Sequence, residues 1–182
     1  MGKTTVSAIL AFKLRAFHLD IATLVRSEQL TCGIDQKRQT LIADANKLAR
    51  RVQQIISETS KTLIIDGHYS TDIVPENQVT RVFVLRCHPD ELRNRMIARG
   101  FEGSKIKENL AAEILDVCLA DAVVNVGENK VCEIDTTHQT ADATASLIVS
   151  ILRGRKRCAV RIVDWLGRLE EEGSLDQYLK DF

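Results

Sequence analysis

Gly2-Lys3-Thr4-Thr5 has the residue types and spacing of the second half of a phosphate-binding loop, G-x-x-x-x-G-K-[ST], and a helical apolar pattern follows it. Backbone N–H groups at such a helix start point at a phosphate chain. Lys3 would set a positive charge on the β- and γ-phosphates, and Thr4 would set a hydroxyl on a Mg²⁺ ion. Asp66 closes an apolar strand run, where a carboxylate can hold the metal partly through its water shell. His68, two residues on, can orient a water or a phosphate. Arg95 and Arg99 are four apart, so a helix would put both on one face. Arginines at a mobile edge stabilise charge on a transferring phosphoryl group, an effect of about 10³–10⁵ in rate. Each residue also has a plainer use: an exposed lysine at a helix start, a turn-forming Asp before Gly67, a loop histidine bonded to backbone, two arginines complementing a helix dipole. Their joint occurrence carries the reading of phosphoryl transfer.

The elements that must position these groups alternate in type. Residues 3–16 predict a helix with apolar Val6, Ile9, Leu10, Phe12 and Leu14, and 41–56 a second with Leu41, Ala45, Leu48, Val52, Ile55 and Ile56. Residues 62–65 and 82–85 are continuous apolar runs, as in strands covered on both faces, and 131–134 is a third candidate. His88-Pro89-Asp90 opens a helix through Arg99 that Gly100 closes. Ile106, Leu110, Ile114 and Val117 stripe another, and Ala145, Ile148, Ile151 and Leu152 the next. Strands alternating with helices give an α/β class with a mostly parallel sheet.

The chain has 182 residues, which suits one domain with a sizeable core. Lys+Arg and Asp+Glu number 25 each, so net charge gives no reason for nonspecific nucleic-acid or membrane binding. No apolar run spans a bilayer, and the N-terminus lacks the order of a signal peptide. Cys32, Cys87, Cys118, Cys132 and Cys158 are odd in number and contain no C-x-x-C, so reduced thiols in a cytoplasmic protein are expected. Arg153, Arg155, Lys156, Arg157 and Arg161 form a basic cluster, followed by acidic Glu170, Glu171, Glu172, Asp176 and Asp181. A solvated surface segment is the plain expectation for 153–182, and a partner-docking tail with its basic part on phosphate the alternative.

Asp66-Gly-His68-Tyr-Ser, Pro75-Glu76, Val82-Phe-Val-Leu-Arg86, Arg95-Met-Ile-Ala-Arg99-Gly-Phe101 and Lys105-Ile-Lys-Glu108-Asn109-Leu-Ala-Ala-Glu113-Ile, in that order, resemble the adenylate kinase isoenzyme 6 family, the archaeal-type group tied to small ribosomal subunit maturation. The resemblance runs from Gly2 to about Leu152, and the tail resembles the extension of archaeal members. It implies a P-loop nucleoside triphosphate hydrolase fold of the nucleoside monophosphate kinase type, over 1–152. It implies ATP plus AMP giving two ADP, with Mg²⁺ and a side ATPase activity. By position, Gly2, Lys3, Thr4 and Thr5 would hold the ATP phosphates, and Thr4 and Asp66 the metal. Asp66 and His68 match an Asp-x-His motif, and Arg99 matches a lid arginine. The monophosphate segment would span about 20–44, a lid without zinc about 98–108, and Asp135-Thr136-Thr137 would lie near the adenine. Family members begin about ten residues earlier, with a strand and further loop glycines. A start further upstream is the favoured explanation and a true truncation with a crippled nucleotide site the other, and a chain starting at Met1 is expected to be less stable and nearly inactive.

Two readings compete with a kinase. One is a non-catalytic assembly factor whose basic cluster binds a small-subunit ribosomal protein or rRNA. The other is a P-loop kinase for shikimate or a nucleoside, against which the Asp66-x-His68 motif and the lid sequence argue.

Overall fold

A computed structural model describes residues 2–36 and 40–180 of the chain. It divides into two compact units, Gly2–Val79 and the remainder from Thr80 onward.

The first unit opens with helix α1 (Lys3–Leu14), then β1 (Phe17–Asp20), α2 (Ile21–Ser27), β2 (Thr31–Asp35), β3 (Thr40–Ala43), α3 (Ala45–Glu58), β4 (Leu63–Asp66) and a single turn, α4 (Ser70–Ile73). β1 and β4 pair in parallel, with Phe17 opposite Leu63 and Asp20 opposite Asp66. β2 and β3 form an antiparallel hairpin. Leu19, Ile21, Leu24, Val25, Leu48 and Val52 form the core of this unit. Alternation along β1 sends Leu19 to that core and His18 and Asp20 to the other face. The helix expected over 41–56 starts later, at Ala45, because Leu41 and Ile42 lie in β3 and Asp44 caps the helix by accepting Lys47 N–H at 3.1 Å. Phe12, expected on the apolar face of α1, is 87% exposed; Val6, Leu10 and Ala11 make the buried stripe.

The second unit runs β5 (Val82–Arg86), α5 (Pro89–Ile97), α6 (Gly103–Ile114), α7 (Val117–Val126), β6 (Val131–Asp135), α8 (Ala141–Leu152), α9 (Trp165–Glu171) and α10 (Asp176–Leu179). β5 and β6 pair in parallel from Val82–Val131 to Arg86–Asp135. The parallel strands predicted from 62–65, 82–85 and 131–134 are therefore present, within the expected α/β class, but as two separate pairs. No strand among the described residues pairs with the other edge of β4 or of β5. The helical stripe through Val117 is broken at Asp116, whose φ of 56° ends α6 and starts α7.

The C-terminal segment is more than a solvated tail. Trp165, Leu169 and Tyr178 are buried with Leu92, Met96, Leu110 and Ile114 in the core of this unit. The charges of the segment sit on its outer surface: Glu170, Glu171 and Glu172 are all exposed. Before α9 the chain runs beside β6, where the Ala159 carbonyl accepts Glu133 N–H at 2.8 Å. That approach brings Cys132 and Cys158 to a Cα separation of 5.2 Å and joins them as a disulfide, which corrects the expectation of reduced thiols for this pair. Cys32 and Cys87 belong to no disulfide among the described residues.

Arg86 ties the unit together. Its guanidinium is 2% exposed and donates to Glu113 Oε1 at 2.8 Å, to the Glu113 carbonyl at 2.9 Å, and to Glu133 and Asp116. Glu113 also accepts Trp165 Nε1–H at 3.0 Å, and Glu133 accepts Ile162 N–H at 2.7 Å. Removing the cation would leave Glu113 and Glu133 buried with no opposing charge. Arg86→Met is therefore expected to cost about 3–5 kcal/mol, measured by urea unfolding of the two proteins. A loss within about 1 kcal/mol would show that the carboxylates do not need it.

Candidate functional site

The predicted phosphate and metal residues of the first unit meet where α1 begins and β1 and β4 end. Gly2 has φ 81°, a left-handed conformation open to glycine, and caps α1 while its carbonyl accepts Val6 N–H at 3.0 Å. No acidic side chain sits in the first turn of α1, so nothing there opposes an anion at its N–H groups. Lys3 Nζ lies 3.2 Å from His68 Nε2. Thr4 and Thr5 are exposed at the same helix start. Asp66 ends β4, buried at 6% exposure. Gly67 separates Asp66 from His68 for a steric reason, since a Cβ there would stand 2.9 Å from the Ile21 side chain.

Sequence reasoning missed two neighbours, Asp20 and His18. Asp20 Oδ1 accepts Thr23 N–H at 2.6 Å and caps α2, while Oδ2 accepts the Thr4 hydroxyl at 3.4 Å. The Asp-x-x-Thr spacing before an apolar run was the available cap signal. His18 shares the face of Asp20, and its Nε2 lies 3.8 Å from Asp66 Oδ2. Both atoms are buried with no hydrogen-bond partner among the described residues. Burial works to raise the Asp20 carboxyl, but hydrogen bonds from Thr23 and Thr4, with the nearby His18, outweigh it and hold the pKa below the ordinary value.

These residues fit a Mg²⁺ ion. Magnesium keeps most of its waters and binds through one or two carboxylates plus substrate phosphates. The unsatisfied Asp66 oxygen and the Thr4 hydroxyl supply hard oxygen donors of that kind. Among the described residues no three His, Cys, Asp or Glu side chains gather closely enough to hold a metal alone. The site would therefore depend on phosphate oxygens for the remaining ligands.

Arg95 and Arg99 belong to the second unit. Arg95 is clamped: it pairs with Glu91 and donates to the Thr136 carbonyl at 2.8 Å and the Thr136 hydroxyl at 3.3 Å. Arg99 is exposed and, contrary to the one-face expectation, lies beyond the end of α5 at Ile97. Gly100, at φ 76°, turns the chain so that Phe101 N–H reaches the Met96 carbonyl at 3.1 Å. The segment expected as a lid, 98–108, is this turn plus the start of α6. The expected monophosphate segment, 20–44, holds α2 and the β2–β3 hairpin, and its residues 37–39 lie outside the described ones. Asp135-Thr136-Thr137 forms the loop after β6, with Asp135 Oδ1 accepting Thr137 N–H at 2.9 Å.

His68 is held neutral. Although it presents much of its surface to solvent, the protein packed about its ring and then the Lys3 ammonium push its pKa down to about 4, with Asp66 opposing. A neutral ring lets Nε2 accept from Lys3. Because the folded value lies below the ordinary 6.5, the unfolded chain binds this proton first. Stability from this group is expected to fall as pH drops from about 6.5 through about 4. A ¹H–¹⁵N titration of the His68 ring should give a midpoint near 4, and Lys3→Met should raise it. A midpoint at the ordinary value in both proteins would overturn this.

Residues 1–116 match a family model described as "AAA domain". A protein of Methanocaldococcus jannaschii named "Putative adenylate kinase" is 34% identical over 91% of this chain and 87% of its own length. Bearers of the same name from Natronomonas pharaonis and Thermococcus onnurineus are 35% identical over 92% of this chain and 94% of their own, and 34% over 98% and 91%. With its glycine-lysine helix start and its α/β architecture, the chain belongs to this AAA-domain family of P-loop proteins, alongside those archaeal relatives.

Proposed function

We propose that the protein is a Mg²⁺-dependent nucleoside monophosphate kinase that transfers the γ-phosphoryl group of ATP to AMP, giving two ADP, with a slower ATPase side reaction. The observation that carries this is the meeting of Lys3, Thr4, Asp66 and neutral His68 at the start of α1. The shared name of the archaeal relatives supports adenine nucleotides as substrates.

The chain's own groups divide the work. N–H groups of the Gly2–Thr5 turn receive phosphate oxygens. Lys3 offsets charge on the β- and γ-phosphates, and Thr4 and Asp66 offer oxygens to the metal site. Mg²⁺, if held by Thr4, Asp66 and phosphate oxygens, would supply positive charge to the phosphates. His68, unprotonated, orients water or phosphate without adding a second cation beside Lys3. Arg99, exposed and with no ion pair among the described residues, is the arginine that the family resemblance assigns to phosphoryl charge, whereas Arg95 shapes the loop after β6. Catalysis is positioning and electrostatic stabilisation, with no covalent intermediate.

A second reading adds a role on the small ribosomal subunit. Its support is the exposed run Arg153, Arg155, Lys156 and Arg157, none of which pairs with a carboxylate among the described residues. Arg161, also in the cluster, is paired with Glu128 at 3.0 Å.

ADP formed from MgATP and AMP should fall at least about 100-fold in Lys3→Ala, with the unfolding midpoint unchanged. Equal turnover above the uncatalysed background in both proteins would sink the kinase proposal. If the basic run meets RNA, binding to a ribosomal RNA fragment should weaken steeply with salt. Neutralising Arg155, Lys156 and Arg157 should then flatten that slope and spare phosphotransfer. Salt-independent or absent RNA binding would remove the second reading alone.

A further inference from the structure

We propose that Asp20 is a positioning residue of the cation site, acting through the Thr4 hydroxyl as a second acidic anchor beside Asp66; this rests on the kinase reading above. The parallel register sets Asp20 directly opposite Asp66 at the C-terminal ends of β1 and β4. Side chains alternate along a strand, so both carboxylates and His18 occupy the same face of the pair, the face that Thr4 of α1 reaches.

The division of the Asp20 carboxylate is the central observation. Capping α2 needs one oxygen, and Oδ1 fills that need at 2.6 Å from Thr23 N–H. Oδ2 accepts the Thr4 hydroxyl proton at 3.4 Å. A hydroxyl has one proton and two lone pairs. With the proton directed at Asp20, the Thr4 oxygen turns its lone pairs away from Asp20, in the state a cation requires. Partners that orient a ligand in this way set its basicity and direction, and losing one typically weakens metal binding about 10–100-fold.

An independent observation points to a ligand at the same place. Asp66 Oδ2 is buried without a hydrogen bond among the described residues, its side chain is 4% exposed, and His18 Nε2 lies 3.8 Å from it. An unmet buried carboxylate oxygen is costly unless something of positive charge completes it. Two adjacent carboxylates on one face sharpen that need, and a divalent cation with its waters answers both.

The test uses the full chain and Mn²⁺ as the probe, read by electron paramagnetic resonance with ADP present. Asp20→Asn keeps an oxygen to cap α2, since Asn and Asp are about equal as caps, but removes the charge. Asp20→Asn should weaken Mn²⁺ binding at least about tenfold. ADP affinity measured in EDTA should stay within about twofold of the parent, as should the ratio between parent and variant after a mild heat challenge. Thr4→Val should lose Mn²⁺ binding to a similar degree, and the double variant should be no worse than Thr4→Val, because the two act as one unit. Full Mn²⁺ affinity in Asp20→Asn, with Asp66→Asn defective, would make Asp20 a helix cap only and leave the kinase reading standing. Additive losses in the double variant would overturn the route through Thr4. If the parent takes up no Mn²⁺ with ADP, the proposal and the kinase reading fall together.

Discussion

A parallel strand pair brings the C-terminal ends of both strands to one edge, and each unit of this chain is organised by that constraint. In the first unit the ends of β1 and β4 are Asp20 and Asp66. In the second the ends of β5 and β6 are Arg86 and Asp135. Parallel pairs need a long return connection, so the residues after each strand are free to turn into loops or helix starts at that same edge. Asp20 thus caps α2, Gly67-His68 follows Asp66, His88-Pro89 opens α5, and Thr136-Thr137 follows Asp135. Chemistry-bearing residues collect there because polar groups at strand ends escape the apolar packing that the strand interiors require.

The two edges handle charge in opposite ways. At the β5–β6 edge, Arg86 is enclosed by Glu113, Glu133 and Asp116, and the same carboxylates hold Trp165 and Ile162 in place. Each guanidinium nitrogen has an acceptor, and the outcome is rigidity that fastens the C-terminal segment to the sheet. At the β1–β4 edge, an aspartate oxygen and an imidazole nitrogen are buried without hydrogen bonds among the described residues. A saturated network suits a structural role, and an unsaturated one suits a ligand.

Legibility in the sequence followed the strength of local signals. β4, β5 and β6 were readable because buried parallel strands are continuous apolar runs, and α5 because Pro89 and Gly100 mark its ends. β1, Phe-His-Leu-Asp, was not, since it is four residues long with two polar side chains directed at the site. The β2–β3 hairpin was hidden because Leu41 and Ile42 extend the helical spacing of α3 backward. The C-terminal helices were masked by their charges, although Trp165 and Leu169 stand four apart as a buried stripe must. Lys3, Thr4, Asp66 and His68 were singled out by motif. Asp20 and His18 were missed because their proximity to Asp66 comes from strand register, which no local pattern encodes.

The distinction between a bound and an unbound hydroxyl shows how such register becomes chemistry. Thr4 is exposed and could direct its hydroxyl anywhere in water. One strand away from Asp66, Asp20 supplies a carboxylate that a capping role already fixes in place. A group held rigidly for one purpose costs little further entropy when used for a second. The helix cap of α2 and the orientation of Thr4 are thus the same carboxylate seen from two sides, and a cation site can be preorganised by an interaction whose sequence signature is only that of a helix start.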